Sequence, residues 1–133
     1  MTEGLLLLIF TLFLAGKDAT SFLLKDKNTA DALDFKRIKR WHRDGVALAA
    51  LFTGVLAYYS HQYWQVPITS LLIRLAVFDI AFNKWAGLSV TYLGSTALFD
   101  KIFIKIFGKH GAFKKSIFFV IATIIWVILN KNL

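Results

Sequence analysis

Apolar residues in this chain gather into long runs, and the basic residues fill the gaps between them. The first run is GLLLLIFTLFLAG, Gly4 to Gly16, and apolar character resumes in ATSFLL before Lys25. A helix over about 3–24 is long enough to span a bilayer, with Lys17 and Asp18 near one headgroup layer. The run also has the length of a signal-peptide core. However, Glu3 and no basic residue precedes it, and no small-x-small cleavage pattern follows, so a retained helix is expected. GVALAALFTGVLAYYSHQYW, residues 45–64, predicts a second span over about 45–63, with Tyr58, Tyr59, Tyr63 and Trp64 as an interfacial belt at its far end. The link HQYWQVP carries no formal charge, and its proline, Pro67, suits the first turn of a helix. These features predict a tight hairpin into a third span over about 67–90. SIFFVIATIIWVILN, residues 116–130, is uncharged and lies between Lys114–Lys115 and Lys131. With those lysines snorkelling to the surface it predicts a fourth span over about 115–130.

Two further segments predict helices lying at the membrane surface. In TADALDFKRIKRW, Ala32, Phe35, Ile38 and Trp41 recur every third residue and give an apolar edge beside a basic face, over about 29–43. On the membrane this helix places Lys36, Arg37, Lys39, Arg40 and Arg43 among lipid phosphates; a solvated connector helix is the alternative. In YLGSTALFDKIFIKIFGKHG, apolar residues cover most of a helix over about 96–108, capped by Ser95 or Thr96, and leave a stripe at Lys101 and Lys105. Two lysines within so short a helix argue for an in-plane or re-entrant element contacting headgroups through them. The expected fold is an all-α integral membrane bundle: one domain over 1–133, about four transmembrane helices and two interfacial ones.

Composition supports this reading. Of 133 residues, 57% are hydrophobic, with a mean hydropathy of +0.60, which is more apolar surface than a soluble domain of this size can hide. There is no cysteine, which removes disulfides, thiolate metal sites and cysteine nucleophiles together. The net charge of +8 brings nucleic acid to mind. Yet the cations sit between apolar runs, where they record membrane orientation, and no nucleic-acid partner is expected. Residues 17–44 hold eight basic and five acidic residues, residues 100–115 hold five lysines and one aspartate, and residues 61–67 hold neither. Positive-inside placement puts both basic segments in the cytoplasm and both termini outside.

RLAVFDIAFNKWAG, residues 74–87, breaks the pattern by carrying Arg74, Asp79, Asn83 and Lys84 inside the third span. At 100° per residue, Asp79, Asn83 and Gly87 share one face, with Ala76 and Ala86 beside it, as on a helix face turned toward protein. Arg74 is about 140° away and needs another partner: a headgroup, a carbonyl or an acid on a neighbouring helix. Such groups cost about 2.5–3.5 kcal/mol each at mid-membrane, so partners are required. WHRDG places His42 and Asp44 at the entrance of the second span, with Asp44 as a helix cap, and ALFD adds Asp100. The expected site is a polar cluster of His42, Asp44, Arg74, Asp79, Asn83 and Asp100 near the inner interface. A clamp that fixes helix register, a cation or proton site, and a hydrolytic or transfer site are all open to it. No catalytic residue is assigned, because HExxH, G-x-S-x-G, a Walker loop and a histidine pair at i, i+4 are all missing. No cofactor is expected, and metal binding by the cluster is left open.

WHRDG, RLAVFDIAFNKWAG and YLGSTALFD together resemble small uncharacterised multi-pass membrane proteins of bacterial phages and prophages. The resemblance covers residues 41–100 and rests on His42, Asp44, Asp79, Asn83, Gly94, Ser95 and Asp100. It implies a bacterial inner membrane or a virion membrane as location, and assigns no activity. The expected function is a non-enzymatic structural or partner-binding subunit of a membrane assembly, in contact with anionic headgroups and with further copies or other membrane proteins. A holin-like lesion former and a small transporter or membrane enzyme are the alternatives.

Overall fold

A computed structural model describes residues 2–27, 32–93 and 98–130, with side chains placed at 2–23, 44–93 and 101–130. The chain forms five helices: α1 (Thr2–Lys27), α2 (Ala32–Ser60), α3 (Gln65–Trp85), α4 (Leu98–Phe107) and α5 (Ala112–Leu129). It is a multi-spanning helical membrane protein. Thr2–Leu23, Gln65–Trp85 and Ala112–Leu129 are each long and apolar enough to cross a bilayer, and Asp44–Ser60 is a shorter apolar helix of the same character.

α3 is the hub, packed against α1, α5 and α2. Near one end Leu7 of α1 meets Ala57 of α2 and Val66 and Ile73 of α3, with Trp126 of α5 packed on the group. Toward the other end Phe22 of α1 lies 5.9 Å from Phe82 of α3, and Lys115 of α5 reaches Asp79. α1 and α3 therefore run parallel, and α2 and α5 run opposite to them. Thr2 and Leu129 lie at the same end of the bundle as the α2–α3 turn.

The tight hairpin arises from a Schellman motif. His61 adopts the left-handed conformation at φ 56°, while Gln62 N–H donates to the Ala57 carbonyl at 3.1 Å and His61 N–H to that of Tyr58 at 3.3 Å. α3 ends in the same way. Gly87 has φ 70°, Leu88 N–H donates to Asn83 at 2.8 Å, and Gly87 N–H donates to Lys84 at 3.4 Å. This stop places the end of the helix at Trp85, before the expected limit near 90.

One expected boundary is absent. Residues 32–43 of the expected surface helix and the span from 45 are a single unbroken α2, and 29–31 lie outside the described residues. Gly45 does not interrupt it; a Cβ there would come within 3.1 Å of the Lys17 ammonium and 3.5 Å of the Asp18 carboxylate. The glycine serves close approach of α1 and α2 rather than a break. Asp44 is accordingly an exposed residue in the interior of a helix, not a cap at its start.

Candidate functional site

The polar residues of α3 meet protein along one face, each by a different route. Asp79 forms an ion pair with Lys115, the fourth residue of α5. Lys115 is buried, and its ammonium also lies 4.6 Å from the centre of the Phe103 ring of α4. Its charge is thus held between a carboxylate and an aromatic face, two environments that favour a cation removed from water. The neighbouring Ser116 hydroxyl donates to the Ala76 carbonyl. Small size at Ala76 lets α5 come close enough for that bond.

Asn83, one turn beyond Asp79, is 2% exposed. Its amide donates to the Tyr92 carbonyl at 2.7 Å, while its own backbone carbonyl receives Leu88 N–H. The loop so held is joined to the α4–α5 corner: Leu93 N–H donates to Lys109 at 3.2 Å, and Ala112 N–H to Thr91 at 3.1 Å. The three residues at four-residue spacing therefore have distinct roles. Asp79 grips α5, Asn83 grips the loop, and Gly87 turns the chain between them.

Arg74 lies near the middle of α3. Its guanidinium is 4.7 Å from the centre of the Phe78 ring. It is half-buried, and the carboxylates of Asp18 and Asp79 both favour its charge. Among the described residues it makes no closer ion pair. Asp18 is itself buried on α1, 3.3 Å from the Lys17 ammonium and packed against Gly45. Charges of alternating sign thus pass from α1 through α3 to α5: Lys17, Asp18, Arg74, Asp79, Lys115. Alternation lets each group stabilise its neighbours in a medium where an isolated ion is costly.

Of the expected cluster, Arg74, Asp79 and Asn83 stand on α3 as described, and Asp44 is exposed on α2. The side chains of His42 and Asp100 lie outside the described residues, as do those of Lys36, Arg37, Lys39, Arg40 and Arg43 and all of Gly94, Ser95 and Thr96. Lys101 and Lys105 are exposed on α4. Sequence reasoning missed Lys115 and Asp18. By position in the sequence both are flanking charges at the headgroups, whereas in the structure each is buried at a helix interface. The available signal was a count: Asp79 and Arg74 each needed a countercharge, and these were the nearest in depth on helices adjacent to α3.

Among the described residues, no three His, Asp or Glu side chains gather as a metal site would require. An open groove of about 610 Å³ lies between α1 and the end of α3, lined by Leu12, Phe13, Gly16, Lys17, Thr20 and Trp85. Of the charged series, it touches Lys17 alone. Comparison with protein-family models, curated proteins and solved structures finds no match to this chain.

Proposed function

We propose that this chain is a non-enzymatic subunit of a membrane assembly: a small multi-pass scaffold that holds its own helices with internal charge pairs and offers apolar outer faces to lipid and to neighbouring membrane proteins. The Asp79–Lys115 pair carries this reading. An intramembrane acid that serves transport or catalysis has to be open to an ion, a proton or a substrate, whereas this one is occupied by a buried lysine of the same chain. The other polar atoms of α3 support it: Asn83, Thr69 and Ser70 hydrogen-bond to a loop, to α5 and to α2. A lesion former turns polar faces outward when copies assemble around a pore, but here those faces point inward within one chain. The resemblance of residues 41–100 to phage and prophage membrane proteins favours an assembly of that kind. The gathering of lysines near the α4–α5 corner favours placing that end in the cytoplasm, with both termini outside.

Asp79→Asn tests the reading. It is expected to lower the yield of folded protein in mild detergent, together with the recovery of co-purifying membrane partners. Normal accumulation of the variant, with loss of a measurable flux or turnover, would overturn the proposal in favour of a transporter or enzyme.

A further inference from the structure

α4 packs on α5 and on no other helix among the described residues. Two aromatic pairs make the contact: Phe103 lies 5.9 Å from Phe119, and Phe107 lies 6.1 Å from Phe118. At 100° per residue, Lys101 and Lys105 project from nearly the opposite side, with Ile102 and Ile106 between the two. All four are exposed. The helix therefore presents an ammonium stripe and an adjoining apolar stripe, neither covered by protein. Its orientation is fixed by the corner that follows. Gly108 has φ 84°, Gly111 N–H donates to the Gly108 carbonyl at 3.0 Å, and a Cβ on Gly111 would collide with the Phe107 carbonyl oxygen. Only glycine fits at 111, so α4 is held at a set angle to α5 rather than swinging on a linker.

Lys84, Lys109 and Lys114 are also exposed near this corner, while the turn at residues 61–64 carries no formal charge. Exposed aromatics mark that opposite end, Tyr58, Tyr59, Tyr63 and Trp64. An element with cations above and isoleucines beside them, at the cationic end of a membrane protein, matches a leaflet of anionic phospholipid in both charge and polarity.

We propose that α4 is a docking element for anionic phospholipid, with Lys101 and Lys105 on the phosphates and Ile102 and Ile106 among the acyl chains, and that this seating holds Phe103 over the Lys115 ammonium. Headgroup charge is thereby linked to the ion pair that joins α3 to α5. The inference rests on the chain being a membrane-embedded scaffold, and it adds a ligand to that scaffold.

The test uses the full chain, solubilised from phosphatidylcholine bilayers containing phosphatidylglycerol, with retained lipids counted by native mass spectrometry. Wild type is expected to keep phosphatidylglycerol about thirtyfold over phosphatidylcholine, from two lysines near the headgroups. Rising salt should erode that preference. Lys101→Gln with Lys105→Gln should abolish it, and Lys84→Gln, a neutralisation at the same end but off α4, should leave it in place. Phosphatidylglycerol should also raise the melting temperature of wild type, and Phe103→Ala should remove that rise while lipid retention persists. No lipid preference in wild type, a preference indifferent to salt, or one undiminished in the double variant would overturn the docking. A melting response unchanged by Phe103→Ala would overturn the link to Lys115. If the double variant fails to accumulate, the salt series on wild type still decides. Lipid indifference leaves the scaffold reading intact, because that reading stands or falls on Asp79→Asn and the co-purifying partners.

Discussion

The two ends of the bundle are joined by different chemistry. At the hairpin end, Leu7, Ala57, Val66 and Ile73 meet with Leu8, Phe52, Leu56, Val77 and Trp126 around them, and the polar contributions are two neutral hydrogen bonds, Trp126–Thr69 at 3.0 Å and Thr53–Ser70 at 2.9 Å. At the α4–α5 end, the helices are joined by the Asp79–Lys115 pair, the Ser116 bond to Ala76 and the Asn83 bond to Tyr92. In water the first end would be the stronger. In lipid, acyl chains compete on equal terms with leucine for leucine, and only fit distinguishes the right neighbour. Charge pairs and hydrogen bonds are directional and meet no equivalent partner in acyl chains, so under the scaffold reading proposed above the polar end is the one expected to fix helix register. The apolar end then fills the space this leaves.

The largest effect that can break this contrast comes from the ion pair. Lys115→Met alone is expected to cost about 3–5 kcal/mol, because it strands the Asp79 carboxylate. Adding Asp79→Asn should recover most of that loss, since removing both partners of a buried pair is far cheaper than removing one. Denaturation in detergent micelles measures both; a double variant as unstable as the single would mean that Lys115 acts through packing. Next comes Asn83→Leu, which leaves the Tyr92 carbonyl without its donor and should cost about 1–3 kcal/mol. Its further signature is faster amide exchange over residues 88–93, because the loop loses its tether to α3. Smallest is Thr69→Val at the hairpin end, expected to cost about 0.6 kcal/mol, the ordinary yield of a hydrogen bond between membrane helices. A loss there equal to that at Asn83 would erase the difference between the two ends.

Much of this was legible in the runs of apolar residues. That the chain is an all-α bundle of long apolar helices follows from those runs, because in a membrane the length of an apolar run is itself the structural signal. The stripe of Asp79, Asn83 and Gly87 was legible for the same reason: helical periodicity puts the three on one side, and lipid makes a carboxylate on that side conspicuous. What periodicity cannot carry is the neighbour. Lys115 belongs to a flanking pair of lysines, and nothing in KKS distinguishes the residue that snorkels from the one that turns inward. The choice depends on α5 descending antiparallel to α3 with Ser116 against Ala76. The continuity of α2 through Gly45 was hidden similarly. Asp44 before an apolar run reads locally as a helix cap, and only the approach of Lys17 and Asp18 shows Gly45 to be a point of contact inside a continuous helix.

The unbroken α2 has a mechanical corollary. Its 29 residues rise about 43 Å, against a hydrocarbon thickness of about 30 Å, so the rod is longer than such a layer is thick. A stiff shaft conveys torque. A grip on its outer turns would rotate Gly45 against Lys17 and Asp18, giving any bound neighbour a lever on the charged interior.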